Sequence, residues 1–129
     1  MVIKPVVTEG TAVTSGNLDV APVAGVHRIL SALADPVRLE MVRRLMNAGE
    51  PTPCALLYDG INKSTATHHF KILREAGLTE RLVHDGQIHQ RLRVDDVDRA
   101  VPGLLASIVD KANREVATSS QAASFQAAF

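Results

Sequence analysis

The sequence predicts a mostly α-helical fold that carries one small β-hairpin, which places it in the α+β class. Apolar residues recur at helical spacing in several segments between residues 21 and 115. One segment near residue 85 instead alternates apolar and polar residues around an Asp-Gly pair, the pattern of a hairpin. The 129 residues are enough for one domain with short tails. Hydrophobic residues make up 46% of the chain but aromatic residues only 3%, and an aliphatic core of this kind suits helix packing.

Two helices are predicted in the segment 21–49. The first helix has its apolar residues at helical spacing, and they are Val23, Val26, Ile29, Leu30 and Leu33. The second is expected to begin with Asp35 as the N-cap and Pro36 at the first helical position, where the missing N–H of proline costs nothing. Gly49 is expected to end it, because glycine readily takes the left-handed conformation that closes a helix.

A short helix, a tight turn and a longer helix are predicted next. Thr52 and Pro53 repeat the start signal, and this helix is expected to stop at Gly60 after about two turns. Asn62 can cap the longer helix, and Gly77 can close it. A short helix joined by a tight turn to a second helix is a candidate helix-turn-helix.

The alternating segment predicts a hairpin that turns at Asp85-Gly86, and a hairpin directly after such a motif forms a wing. One face is expected to carry Ile88, Leu92 and Val94, and the other His89, Arg91 and Arg93. A last helix follows, with its start broken or kinked at Pro102 and Gly103. The predicted architecture is a winged helix-turn-helix in the order α-α-α-α-β-β-α.

The ends of the chain lack this regularity. Residues 1–20 are expected to form a flexible arm, residues 21–115 the domain and residues 116–129 a flexible tail. With Cys54 as the single cysteine, a disulfide framework is excluded and a cytoplasmic location is expected. No apolar run approaches the roughly 20 residues of a membrane helix, so no membrane association is expected.

Basic residues cluster although the formal net charge is zero. Residues 61–93 carry six Lys or Arg against three acidic residues, a net +3, whereas residues 94–129 carry three against five, a net −2. The positive field therefore lies over the longer helix and the hairpin, where a polyanion would be attracted.

The helix at 62–77 has one apolar and one polar side. Ala66, Phe70, Leu73 and Gly77 fall on the side expected to face the core. The outer face carries short hydrogen-bonding groups with a cation at either end, namely Lys63, Ser64, Thr65, Thr67, His68 and Lys71. Such a face can contact base edges and phosphates in the major groove, with an ordinary solvated surface as the alternative interpretation. From the hairpin, Gln87, His89 and Arg91 are the expected DNA contacts.

Neither His68 nor His69 is expected to bind metal. Adjacent helical residues point about 100° apart, whereas a helical metal pair needs i, i+4 spacing. His68 is expected to face solvent, and His69 to lie at the edge of the buried side. Ile72 does not fit the apolar face and is expected to pack on the wing or a neighbouring helix.

The segments LADPVRLEMVRRL and KSTATHHFKILREAGL, followed by a hairpin, resemble the ArsR/SmtB family of winged-helix repressors over residues 27–113. The resemblance implies that the 62–77 helix enters the major groove, that Ser64, Thr67 and His68 match its reading positions, and that an effector releases a palindromic operator. It also implies a homodimer joined by the first and last helices. From those helices the expected interface residues are Val26, Leu30, Leu104, Leu105 and Ile108. His27 is expected in or near the same interface.

The sequence departs from the metal sites that this family implies. One such site uses a cysteine pair near the short helix, but Cys54 stands alone, and one thiolate is not a soft-metal site. The other uses histidine on the last helix, and no histidine follows His89. The sequence therefore predicts no metal, no cofactor and a non-metal effector that it does not name. Cys54 is expected to be buried and inert, with a redox switch at a helix N-terminus as the alternative.

The sequence also bears on two other function classes. Winged helices also mediate protein contacts, and the neutral net charge fits a protein-interaction module without sequence-specific DNA binding. An enzyme is not expected, because no nucleophile–base pair, Gly-rich phosphate loop or paired catalytic carboxylates occur at usable spacing.

Overall fold

The computed structural model describes residues 20–127, with side chains described through residue 119. The predicted N-terminal arm lies outside these residues except for its last position. The helices are α1 (Val26–Leu33), α2 (Pro36–Ala48), α3 (Lys63–Glu75), α4 (Val94–Ala100) and α5 (Leu104–Ala127). The strands are β1 (Thr52–Pro53), β2 (Thr79–His84) and β3 (Gln87–Leu92). They form one antiparallel sheet in the order β1-β3-β2. The predicted class, helices with a small antiparallel sheet, is confirmed.

The helix boundaries of α2 and α3 follow the local signals in the sequence. The Asp35 carboxylate accepts hydrogen bonds from the backbone N–H groups of Val37 and Arg38 at 2.8 and 3.2 Å. The side chain of Asn62 accepts one from the N–H of Thr65 at 2.8 Å. Gly49 follows α2 with φ 69° and Gly77 follows α3 with φ 81°. Both glycines take the left-handed conformation that ends a helix.

The predicted short helix is wrong in length and start. Only Cys54–Leu56 is helical, as a single 3₁₀ turn. Thr52 and Pro53 cannot begin a helix, because they are extended and pair with Gln90 and His89 of β3. This third strand was not predicted, since a two-residue strand has no period of its own.

The last helix is divided in two. Val101–Gly103 separates α4 from α5, and Gly103 has φ 81°, so the predicted break is confirmed. After the break, α5 continues to Ala127, so the backbone of residues 116–127 is helical where the sequence favoured a frayed tail.

The hairpin turns at Asp85-Gly86 as predicted, with φ 52° and 75°, but the predicted facing of β3 is wrong. Ile88 is exposed, whereas His89 is only 7% exposed and Arg93 is buried. β3 is the central strand of the sheet, between β1 and β2. Beyond its first two residues, β3 has buried or half-buried side chains on both faces of the sheet, and simple alternation fails.

The core lies between the helices and the sheet and is almost entirely aliphatic. Ala66, Phe70 and Leu73 of α3 are buried as predicted, and Ile72 packs partly buried against the same core. In the part of the chain that the structure describes, no helix is both long and apolar enough to cross a membrane.

The segment before α1 crosses the end of α3 and holds it. The N–H of Ala24 donates to the carbonyl oxygen of Ala76 at 3.0 Å. The buried guanidinium of Arg93 donates to the carbonyl oxygen of Ala21. The crossing is so close that a Cβ on Gly77 would overlap the backbone of Pro22 and Val23. The end of α3 is thus fixed to two other parts of the domain.

Candidate nucleic-acid interface

The outer face of α3 is open along its length. All six side chains predicted there are exposed, namely Lys63, Ser64, Thr65, Thr67, His68 and Lys71. The Thr67 hydroxyl donates to the carbonyl oxygen of Lys63 at 2.9 Å, which leaves its lone pairs as acceptors towards solvent. The face therefore presents short hydrogen-bonding groups and two cations, while the opposite side of the helix is anchored in the core.

A hydrogen-bond network connects α3 to the α1–α2 junction. The Arg38 guanidinium donates to the carbonyl oxygen of Ala32 at 2.7 Å and lies 3.0 Å from Nδ1 of His69. Because guanidinium cannot accept a hydrogen bond, Nδ1 of His69 is the acceptor. His69 is mostly buried, at the edge where the sequence placed it. Through this contact with Arg38, His69 links α3 to the α1–α2 junction.

The carboxyl of Asp35 lies beside this network. Burial opposes its ionisation, but the backbone hydrogen bonds from Arg38 and Val37, together with the charge of Arg38, lower its pKa. The cap of α2 is thus a stable carboxylate.

The two adjacent histidines do not form a chelating pair. The rings of His68 and His69 lie 6.0 Å apart with their planes inclined by 55°. Among residues 20–119, no group of three His, Cys, Asp or Glu side chains is arranged to hold a metal ion.

The hairpin offers fewer outward contacts than predicted. Gln87 is exposed at the tip and His84 beside it, but His89 packs edge-on against His84 at 5.4 Å and is buried. His89 is therefore not a surface residue of the wing, contrary to the prediction. Arg91 is half-exposed and forms an ion pair with Glu80, its partner across the hairpin.

One exposed cation of the hairpin was missed. Arg81 faces outward on β2, opposite Gln90. Its charge is part of the basic region at residues 61–93, but no DNA contact was predicted for it. Its position in the alternating strand was the available signal.

A cavity of about 440 Å³ opens between the 3₁₀ turn, α3 and the wing. We call it the α3–wing cavity. On α3 its wall is formed by Lys63, Ala66, Thr67, Phe70 and Arg74. These residues are spaced i, i+3, i+4, i+7 and i+11, so they form one helical stripe between the buried side and the outer face. The helical spacing of this stripe can be seen in the sequence. The opposite wall comes from residues that lie elsewhere in the chain, in the 3₁₀ turn and the wing.

Cys54 lies on that opposite wall and is half-buried. Its Sγ accepts a hydrogen bond from Nε2 of Gln90 at 3.7 Å. The thiol is therefore neither fully buried, as the main interpretation had it, nor at the N-terminus of a full helix, as the redox alternative required.

The predicted dimer residues divide into two groups. Val26 and Leu30 on α1 are 58% and 48% exposed, and Leu104 and Ile108 on α5 are half-buried. Leu105, however, is 4% exposed and lies in the core of the protomer. It is buried within its own chain and not available to a second one, so its assignment to an interface is corrected. His27 is exposed on α1.

Comparison with known proteins agrees with this architecture. A family model described as a helix-turn-helix domain matches residues 33–81. The chain is 36% identical over 83 residues to YceK, an uncharacterized HTH-type transcriptional regulator of Bacillus subtilis (strain 168); the match covers 63% of this chain and 83% of YceK.

Two solved structures are similar in fold. The transcriptional repressor BigR from Xylella fastidiosa has a TM-score of 0.51 and 27% identity, over 64% of this chain and 81% of that one. An ArsR-like transcriptional regulator from Rhodococcus sp. RHA1 also has a TM-score of 0.51, with 20% identity over 75% of this chain and 91% of that one. At that identity, the second similarity bears on the fold alone.

Proposed function

The chain belongs to the helix-turn-helix transcriptional regulators, and we propose that it is an ArsR-type member, a dimeric repressor that binds a palindromic DNA operator. The observation that carries this proposal is the outer face of α3. It is continuously exposed, it is built from short polar and cationic side chains, and the rest of the helix is fixed in the core.

In the proposed complex, α3 lies in the major groove and its N-terminal turn approaches the phosphates. Helix N-termini favour anions, since their free N–H groups and the helix dipole point towards them. Ser64, Thr67 and His68 contact base edges, and Lys63 and Lys71 contact phosphates. Thr65 and the wing-tip Gln87 complete the surface, while Arg91 contributes little because Glu80 already neutralises it.

Dimerisation is proposed through α1 and α5. Val26 and Leu30 are one helical turn apart and expose apolar surface, as Leu104 and Ile108 do in part on α5. A two-fold dimer buries the same patch on both chains and sets two copies of α3 against two half-sites. The similarity to BigR, a transcriptional repressor, supports repression as the outcome of binding.

The proposal is tested by selecting operator sequences from a random DNA library and measuring affinity by fluorescence anisotropy over a salt series. The selected site should be an imperfect palindrome with half-sites about one helical turn, or a multiple of it, apart. His68→Ala and Ser64→Ala should each weaken operator binding by roughly 1–3 kcal/mol and relax specificity at one position of the site.

Lys71 and Lys111 provide a matched pair of variants. Each is an exposed lysine 3.9 Å from a glutamate one turn later, but Lys71 lies on α3 and Lys111 on α5. Lys71→Ala should weaken binding to all sequences and reduce the salt slope by about one, whereas Lys111→Ala should change neither. If no sequence is enriched, and binding is unaffected by all these substitutions, the protein-interaction module is the better hypothesis.

A further inference from the structure

The α3–wing cavity has an apolar interior that joins three parts of the fold. Ala66 and Phe70 form its side towards the core, Tyr58 packs edge-on against Phe70 at 6.1 Å, and Ile88 closes it from the wing. Its volume of about 440 Å³ is in the range of sites for small organic molecules, which are typically about 300–1,000 Å³ and mostly apolar.

The rim of this cavity is cationic. Lys63 and Arg74 of α3 and Arg81 of β2 all line it, and none of the thirteen lining residues is acidic. Two of these cations come from one helix and the third from the hairpin, so their side chains surround the opening. An apolar interior under a cationic rim is complementary to an organic anion, whose carboxylate remains at the rim while its body is buried.

The inner end of the cavity has an unsatisfied polar group. Gln90 lines the cavity and is 2% exposed. Its Nε2 donates to Sγ of Cys54, but its Oε1 has no hydrogen-bond partner among the described residues. Buried polar atoms are almost always partnered, because an unmade hydrogen bond in the interior is costly. That oxygen is itself buried, so a hydroxyl or N–H of a bound molecule could donate to it once the Gln90 amide turns towards the cavity.

We propose that the α3–wing cavity binds a small organic anion, a carboxylate with a ring-sized apolar body, and that this ligand releases the protein from DNA. The second part rests on the proposed function. Lys63, Thr67 and Gln87 belong both to the cavity and to the surface proposed to contact DNA. A ligand that binds Lys63 and lies between α3 and the wing tip would compete with DNA for these three side chains. Release therefore needs no metal and no rearrangement of the dimer.

The single cysteine provides a measurement that is independent of DNA. Cys54 lines the cavity, so a bound ligand should slow its alkylation by iodoacetamide. The extent of alkylation is measured over time by mass spectrometry of the intact protein. The probes are 4-hydroxybenzoate, indole-3-acetate and octanoate, and each acid is compared with its uncharged amide. At least one acid should protect Cys54 saturably while its amide does not, and the same acid should weaken operator binding.

Three variants separate the cavity from general effects of charge. Arg74→Ala should lower the affinity for the protecting acid roughly 10- to 100-fold, the range for loss of one charge-assisted hydrogen bond. Arg114→Ala, on the exposed face of α5, should leave it unchanged. Ala55→Trp adds a ring from an exposed position on the cavity wall and should block binding without disturbing the core.

The outcomes distinguish the two parts of the proposal. If none of the acids protects Cys54 at millimolar concentration, or if acid and amide protect equally, the anion site is overturned. Protection without any change in operator affinity refutes the role as effector and leaves the site. Failure of the unliganded protein to bind DNA contradicts the proposed function alone, because the alkylation measurement does not involve DNA.

Discussion

Replacing Gly77 by alanine should destabilise the domain far more than the same change at any other left-handed glycine in it. The new Cβ would lie 2.5 Å from the Cα of Val23 and nearer still to the carbonyl oxygen of Pro22, whereas real Cβ atoms essentially never come within 3.0 Å. The crossing segment would have to move by at least about 0.5 Å, the difference between these distances. Backbone atoms make this contact, so no side chain can rotate away to relieve it.

The cost has two parts. An L-residue in the left-handed region costs roughly 1–2 kcal/mol relative to glycine. Displacing the crossing segment also weakens the bond from Ala24 to Ala76 and the one from Arg93 to Ala21, and each contributes about 1 kcal/mol net. The expected loss is therefore about 3–4 kcal/mol, and a domain of this size should unfold roughly 10–20 °C lower.

Gly49→Ala is the matched control. Gly49 has φ 69° and also ends a helix, but a Cβ there would meet nothing within 4 Å. It should lose only the conformational part, about 1–2 kcal/mol. Both variants are compared with the parent by urea and thermal unfolding at one protomer concentration, because the proposed dimerisation would link stability to concentration. Equal losses at the two glycines would refute the close crossing at the end of α3.

Further predictions concern acid stability, assembly and metals. The side-chain hydrogen bond from Arg43 is the largest effect on the pKa of Glu40, and one from Arg44 adds to it. Together they outweigh the opposing effect of burial and lower this pKa from 4.5 to about 2. Since the folded-state pKa is depressed, this stabilisation is present above about pH 5 and is lost as the pH falls towards 2. After allowance for solvent screening, this stabilisation amounts to about 1–2 kcal/mol. In Glu40→Gln, the free energy of unfolding in urea should therefore fall by about that much less between pH 5 and pH 2 than in the parent. Leu30→Asp should give a folded monomer in light scattering. Leu105→Asp should instead abolish folding, as judged by circular dichroism, because it buries a carboxylate in the protomer core. A wild-type monomer at micromolar concentration would contradict the dimer. Operator binding should not respond to zinc, cadmium or arsenite after chelator treatment. A stoichiometric metal effect in anisotropy would show that the protein has metal ligands outside the two familiar sites.

Much of α3 was predictable because its determinants are local. The cap at Asn62, the left-handed Gly77 and the apolar stripe through Phe70 depend on residues within a few positions of one another. Such signals act wherever the segment is placed, so the exposed and buried sides of α3 followed from its period alone. The turn at Asp85-Gly86 was equally local.

The burial of individual hairpin residues was not predictable in this way. His89 and Gln90 are adjacent in sequence and both buried, against the alternation of a strand with one free face. Both residues pair with β1, more than thirty positions away in the chain, so no local pattern records their surroundings. The failed short helix has the same cause, because Thr52 and Pro53 gain more from strand pairing than from starting a helix.

By itself, the sequence determined the ends of α2 and α3, the hairpin turn, the exposed polar face of α3 and the lack of ligands for the familiar metal sites, since each depends on neighbouring residues or on composition. Only the tertiary structure decided that Leu105 belongs to the core, that Gly77 supports a backbone crossing and that Arg74, Arg81 and Gln90 meet around one cavity. These features arise from contacts between segments far apart in the chain. Their energies depend on how well distant surfaces fit together, and no local period records that fit.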